Sequence, residues 1–336
     1  MGKTETLHTS AGKHVTLQQI FEAKRRVYQI VKPTPFIQSI QLSDQLGSPV
    51  YLKLENYHEI GAFKVRGAAN KILQLSNEEK KRGVATFSTG NHGLAVAYVA
   101  KKMGISATVC ISNRVPKAKV DAIRLAGARI EIVGEGQDDA EKYCYELEEK
   151  NGVTVIKPFD DPDIIAGQGT IGIEMAEEEP DIEVAVIPIS GGGLFAGIAT
   201  ALKSYNPKMK MIGVSMERSP VMYESIRAGK PVILKEQPTL ADSLLGGIGL
   251  NNAYTFEIAK NLVDDFVLVS EEEIAEAMGF MAAEHRMIVE GAAATGVAAL
   301  LNRKIDLAGM KAGTIITGNN VDLSVISNVI QDYQRK

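Results

Sequence analysis

Apolar positions early in the chain follow a helical spacing. Ile20, Ala23, Val27 and Ile30 make one stripe, Thr16 with Gln19 forms a capping box ahead of it, and Pro33 and Pro35 close it. The apolar run 50–54 reads as a short strand. The good helix formers Ala68, Ala69, Lys71, Ile72 and Leu73 then predict a helix with Lys64 in its first turn. Ser76 with Glu79 caps another helix. Beyond it, strand-like runs at 84–88, 107–111, 129–133 and 153–156 alternate with helical patterns near 92–103, 116–126 and 138–150. A second series follows: strand 184–189, helix 194–205, strand 211–215, helix 220–228, helix 253–261, strand 266–269, a helix capped by Ser270 with Glu273, helix 292–302 and strand 314–317. Residues 231–250 are irregular and rich in Gly and Pro.

Such alternation is the signature of parallel sheets with helical crossovers. The expected fold is therefore α/β: two open, twisted, mostly parallel sheets with helices on both faces. No linker divides the chain. Residues 83–158 are expected to form a small α/β domain inserted into a larger one built from 1–82 and 159–336. The cleft between the sheets is the default ligand site, because strand C-terminal ends converge there.

Composition narrows the function. The 336 residues are 45% hydrophobic and 23% charged, ordinary for a globular enzyme of about two domains. A net charge of −4 without a long basic run argues against nucleic acid as a partner. Cys110 and Cys144 give no disulfide framework, and the first fifteen residues lack the apolar core of a signal peptide, so a cytoplasmic setting is expected. The apolar stretch 184–202 is broken by Pro188, Ser190 and the glycines 191–193, which argues against a membrane span. His8, His14, His58, His92 and His285 are scattered and no metal site is expected.

Three loops at strand ends and one lysine carry the candidate chemistry. Lys64 stands at a helix N-terminus, where the macrodipole disfavours an ammonium and lowers its pKa, which would suit an amine that must attack a carbonyl. A surface lysine is the plainer alternative. In Ser190-Gly191-Gly192-Gly193-Leu194, consecutive N–H groups without Cβ atoms can turn together towards a phosphate, although a tight turn would use the same residues. The loop Ser88-Thr89-Gly90-Asn91-His92-Gly93 has small residues and exposed amides that suit a carboxylate. The third loop is Thr317-Gly318-Asn319-Asn320-Val321-Asp322.

Taken in order, these stretches resemble one family. Glu55 with Gly61-Ala62-Phe63-Lys64-Val65-Arg66-Gly67-Ala68 resembles the lysine motif of the pyridoxal-phosphate-dependent serine/threonine dehydratases, which are tryptophan-synthase-β-like enzymes of fold type II. The loop at 88–93 is similar to the family's Ser-x-Gly-Asn-His-Gly. The loop at 317–322 is similar to its Ser-Gly-Gly-Asn-Val-Asp. The family often has a further glycine where Ser190 stands. The resemblance covers nearly the whole chain.

The resemblance implies a role for each of these residues. Lys64 holds pyridoxal 5'-phosphate as an imine and, once freed, takes the substrate Cα proton, while Phe63 packs beside the ring. Ser190, Gly191, Gly192, Gly193 and Leu194 hold the phosphate, Asn91 touches the phenolic oxygen, and Thr317 meets the pyridine nitrogen. Ser88, Thr89, Gly90, Asn91 and His92 hold the substrate carboxylate; a packed, backbone-bonded His92 is expected rather than a general base. The implied reaction is β-elimination from a 3-hydroxy L-amino acid, giving a 2-oxo acid and ammonia, by a homodimer.

Departures from the family pattern matter too. Ala62 stands where serine is usual, and Ser215 and Val221 stand where metal-activated relatives have acidic ligands. Ala62 and Ser215-Met216-Glu217-Arg218 resemble the dehydratases of hydroxyectoine breakdown, which act on a longer 3-hydroxy amino acid. The rivals are a serine racemase on the same scaffold, with Thr89 as second proton carrier, a more distant cysteine-synthase-like enzyme, and a non-catalytic protein that binds pyridoxal phosphate or another phospholigand.

Overall fold

The computed structural model describes residues 14–88, 90–113, 115 and 117–335, with backbone alone at 117–119 and 137. Among them the strands are β1 (Phe36–Gln38), β2 (Val50–Lys53), β3 (Val84–Thr86), β4 (Ala107–Ile111), β5 (Arg129–Ile132), β6 (Thr154–Val155), β7 (Val184–Pro188), β8 (Lys210–Met216), β9 (Asp265–Val269) and β10 (Ala312–Ile315). The helices are α1 (Leu17–Val27), α2 (Ile40–Leu46), α3 (Lys64–Leu73), α4 (Asn77–Arg82), α5 (Asn91–Lys102), α6 (Lys117–Leu125), α7 (Gln137–Asn151), α8 (Pro162–Glu178), α9 (Gly193–Tyr205), α10 (Val221–Ala228), α11 (Thr255–Leu262), α12 (Glu271–His285), α13 (Gly291–Leu301) and α14 (Leu323–Gln334). Thr16, Ser76 and Ser270 cap α1, α4 and α12 through the expected reciprocal boxes.

Two sheets form, as expected. The larger has strand order β1-β2-β10-β7-β8-β9 and the smaller β5-β4-β3-β6. Pairing is parallel throughout except for β1 against β2. Strands in such a sheet are buried on both faces and read as continuous apolar runs. In β7, Val184 and Val186 pack with α13 in one core while Ala185 and Ile187 pack with α9 in another. In the smaller sheet, Val84 and Val109 join α5 on one side, and Ala85 and Cys110 meet Ala140 and Cys144 of α7 on the other.

The sequence pattern did not reveal α8, β1, α2 or α14. Helix α8 is buried almost all round and threaded with glycines, so it carries no amphipathic stripe. Those glycines let it cross its neighbours closely. A Cβ on Gly167 would come 2.7 Å from the Arg66 carbonyl oxygen, and one on Gly197 of α9 would come 2.3 Å from that of Ile165. The legible signal was at its start, where Asp161 accepts hydrogen bonds from the N–H groups of Asp163 and Ile164, with Pro162 in the first turn.

Three neighbouring strands, β2, β10 and β7, point their C-terminal ends at one region. The Lys64, Thr317 and Ser190 loops leave those ends, and the loop after β3 of the smaller sheet meets them there. Topology alone thus gathers segments far apart in sequence.

Candidate active site

The Lys64 loop is held by backbone before any side chain matters. Leaving β2, the chain makes a 3-10 turn at Glu55–Tyr57 and enters the left-handed region at Gly61, φ +70°. A Cβ there would sit 2.1 Å from Oδ1 of Asn319, so glycine is required twice over. Ala62 bridges to Gly318, the Phe63 N–H donates to the Thr317 carbonyl at 3.0 Å, and the Asn319 N–H donates to the Gly61 carbonyl at 3.0 Å. Lys64 then opens α3, with Phe63 as its N-cap.

Beneath this loop lies a buried charge network. The Arg66 guanidinium donates from Nε to Glu55 Oε2 at 2.7 Å and from Nη2 to Glu55 Oε1 at 2.8 Å. It also donates from Nη2 to Glu174 Oε2 at 2.8 Å. Lys53 pairs with the same Glu174 at 2.8 Å, and the His58 ring meets Glu55 at 3.0 Å. Each buried carboxylate therefore has a cation against it, which is the condition for burying charge at tolerable cost. Arg66 holds the Glu55 carboxyl well below the ordinary range.

Lys64 is half-buried; its Nζ donates to the Pro158 carbonyl at 2.8 Å and lies 5.2 Å from the Phe63 ring centre. Burial lowers its pKa to about 8, while the Glu290 carboxyl opposes the shift. The direction is the one expected from the helix N-terminus, but desolvation is the cause. Near pH 7 about a tenth of the side chain is then the free amine, against far less for an ordinary lysine.

The glycine loop closes the other side. Gly192, at φ +88°, is the N-cap of α9, and the N–H groups of its first turn have no partner within the helix. A Cβ on Gly191 would meet the Phe159 ring at 2.4 Å, and one on Gly192 would meet Thr255 at 2.9 Å. Ser190 turns its hydroxyl away to the Leu244 carbonyl at 2.6 Å, and Leu194 is buried against the sheet.

The loop before α5 is partly described: Thr89 lies outside the described residues. Ser88 approaches Gly93 so closely that a Cβ there would be 2.0 Å from the Ser88 carbonyl oxygen. His92 bonds through Nε2 to the Ile156 carbonyl at 2.9 Å, and burial pushes its pKa down to about 3, so the ring is neutral with Nε2 donating. Asn91 is buried and doubly engaged. Its Nδ2 donates to both Glu290 oxygens at 3.1 and 3.0 Å, and its Oδ1 accepts from Asn320 Nδ2 at 2.7 Å.

Thr317 is 3% exposed, and its Oγ1 has no hydrogen-bond partner among the described residues. A buried hydroxyl without a partner is costly, and a ligand atom able to accept a hydrogen bond would satisfy it. Together with a glycine-built helix N-terminus and a lysine held near neutrality, it fits a phosphorylated aromatic aldehyde with a ring nitrogen. Residues 27–318 match the family described as pyridoxal-phosphate dependent enzymes. The L-threonine ammonia-lyase of Thermotoga maritima is 43% identical over 316 residues, covering 94% of this chain and 78% of the relative.

The chain belongs to the pyridoxal-phosphate-dependent serine/threonine dehydratase family.

Solved structures agree with that placement. The processed threonine deaminase isoform 2 of Solanum lycopersicum superposes with a TM-score of 0.86 at 33% identity, covering 98% of each chain. Maize serine racemase superposes with a TM-score of 0.89 at 32% identity, covering 96% of this chain and 99% of that one. This dehydratase-family enzyme accordingly uses pyridoxal 5'-phosphate and has ammonia-lyase chemistry.

The Glu290 segment falls within the family resemblance but carried no expected role; Glu290 is the buried N-cap of α13 and lies between the Asn91 and Gly318 segments. Its signal was present: one acidic residue directly ahead of Gly291-Ala292-Ala293-Ala294, an otherwise apolar run. No cluster of metal-ligating side chains occurs among the described residues, and no helix among them is long and apolar enough to cross a membrane.

Proposed function

We propose that this enzyme eliminates the β-hydroxyl of a 3-hydroxy L-amino acid, with Lys64 as the base that carries the Cα proton. The observation that carries the reading is the meeting of a half-buried Lys64, its pKa lowered to about 8, with the unpartnered Thr317 hydroxyl across one backbone bridge. When bound, pyridoxal phosphate supplies an electron-withdrawing ring that acidifies the substrate Cα–H.

The chain's own residues do the rest. Ser190, Gly191 and Gly192 would bind the phosphate through loop N–H groups, and Gly193 and Leu194 through first-turn N–H groups of α9. Phe63 packs against the ring, Asn91 donates to its phenolic oxygen, and Thr317 donates to its nitrogen. A threonine cannot keep that nitrogen protonated as a carboxylate would, which favours elimination over transamination. The loop amides of Ser88, Thr89, Gly90, Asn91 and His92 hold the substrate carboxylate. Lys64 Nζ takes the Cα proton, the Cβ–O bond breaks, and the departing hydroxide takes up one proton, in number the one lost from Cα, to leave as water. The released enamine is hydrolysed to the 2-oxo acid and ammonia.

As parts of the same proposal, residues 1–82 and 159–336 form the cofactor-binding domain, 83–158 form the small domain, and the enzyme works in the cytoplasm as a homodimer. Serine and threonine head the substrates. Ala62 and the run 215–218 extend the class to a longer, hydroxyectoine-derived amino acid.

The purified enzyme, given cofactor, should release ammonia and a 2-oxo acid from at least one member of a 3-hydroxy amino acid panel. Failure on every member would overturn the proposal. A second reading, racemisation, is favoured by the likeness to maize serine racemase. It needs a proton carrier on the face opposite Lys64, and Thr89 is the candidate. Its branched Cβ limits the directions its hydroxyl can take, so elimination is expected to dominate. Thr89→Ala should abolish racemisation and leave oxo-acid formation within about tenfold. If chiral chromatography shows D-isomer accumulating faster than oxo acid in the unmodified enzyme, racemisation is the main activity.

A further inference from the structure

Asn91 is the one site residue whose side-chain amide is fixed at both ends, and the fixing groups decide which way round it points. Asn320 Nδ2 donates to the Ile60 carbonyl at 2.9 Å and to Asn91 Oδ1 at 2.7 Å. That places the Asn91 oxygen towards Asn320 and its nitrogen towards Glu290. Both Glu290 oxygens lie about equally far from Nδ2, at 3.1 and 3.0 Å, so one N–H is shared between them. The second N–H of Nδ2 is left for a ligand.

Glu290 is itself held. Its N–H donates to the Gly318 carbonyl at 3.1 Å, and a Cβ on Gly318 would lie 3.0 Å from its Oε1. Its carboxyl is therefore wedged directly behind the turn that carries Thr317. Besides the amides of Asn91 and Asn320, it faces Ser243 and Asp242 from the 3-10 turn at Asp242–Leu244 and Lys64 from α3. A carboxyl that is 2% exposed and pinned by a neutral amide needs a reason to be there, since a smaller apolar residue would fill the site at no electrostatic cost.

We propose that Glu290 is a positioning residue of this active site: it clamps the Asn91 amide in the one orientation that presents an N–H to the bound cofactor ring. The inference rests on the reading above that the cleft binds pyridoxal phosphate. Burial and the nearby Asp242 charge push the Glu290 pKa up to about 7, while the hydrogen bond from Asn91 pulls it back, as expected of a carboxyl kept for its contacts. In either protonation state it retains an oxygen able to accept from Asn91.

The test compares holoenzyme variants by near-visible absorbance maximum and by the dissociation constant of pyridoxal phosphate in equilibrium dialysis. Glu290→Ala should shift the maximum and weaken cofactor binding about tenfold, the scale of one lost hydrogen bond. Glu290→Gln keeps an acceptor and should stay within about threefold of the unmodified enzyme, the spread of any single contact. In an Asn91→Ala background, Glu290→Ala should add almost nothing, because the group it acts through is gone. Should Glu290→Ala fail to fold, Asn320→Ser frees the other, exposed end of the same amide and should move both readouts in the same direction.

Two results would overturn the inference. One is an additive loss on adding Glu290→Ala to Asn91→Ala. The other is an unchanged spectrum and affinity in both Glu290→Ala and Asn320→Ser. A near-visible band missing from the unmodified protein would instead remove the cofactor reading beneath it, and the inference with it.

Discussion

On the proposed reading Lys64 serves as a base near neutral pH, and its burial with no carboxylate in direct contact among the described residues suits that role. The stability consequence has a definite sign. The folded pKa is about 8 against an ordinary 10.5, so between those values the unfolded chain binds the proton and the folded chain does not. Stability therefore rises with pH across that window, and the penalty is fully present below it. It amounts to at most about 3 kcal/mol, less because the side chain is only half-buried. Without cofactor, Lys64→Met should be more stable than the unmodified protein at pH 7, with the gap closing towards pH 10.5 in denaturant titrations. Its lowered pKa was legible at this scale from its place at a helix start. The cause was not, because Lys64 packs against the distant segment at Pro158, which no local pattern connects to residue 64. Glu290 was legible as a lone charge in an apolar run within the family resemblance, but not as the partner of Asn91.

Helices α3 and α8 cross so closely that backbone touches backbone, and the charge network spans the crossing. Arg66 lies between Glu55 and Glu174, and removing it would leave two buried carboxylates facing each other. Arg66→Met should cost about 3–5 kcal/mol near neutral pH. The Glu55 carboxyl is held below its ordinary 4.5, so its contribution is present above that value and lost as pH falls through the lower folded one. The deficit of Arg66→Met should therefore shrink as pH is lowered past about 4.5, where Glu55 can take up a proton instead. Denaturation midpoints measured from pH 4 to 8 check both points. Close packing of α8 on α9 makes a second demand: Gly197→Ala, whose Cβ would press on the Ile165 carbonyl, should destabilise by about 1–3 kcal/mol. At this scale, helices with capping boxes were legible from sequence, with α1, α4 and α12 starting as expected. Helix α8 was not, since its apolar sides and glycines answer to partners on both sides rather than to water.

For the molecule as a whole, alternation of strand and helix was enough to expect two parallel sheets. It could not supply the strand order, because β10 from the end of the chain slots between β2 and β7. That insertion brings Thr317 beside Ala62 and Phe63, so the site is a property of the assembled sheet and not of any one segment. The family resemblance places the acidic cation ligands of metal-activated members where this chain has Ser215 and Val221. Turnover should consequently be unchanged by EDTA and unaffected by added Mg²⁺ or Ca²⁺; a loss with EDTA that either ion restores would contradict this. Everything else depends on one residue being where the cofactor is attached. Reducing the cofactor-loaded enzyme with borohydride and mapping the modified peptide by mass spectrometry tests that most directly. The account predicts that the cofactor is fixed at Lys64 alone and that Lys64→Ala takes none up covalently, while modification at any other lysine with turnover retained in Lys64→Ala would contradict it.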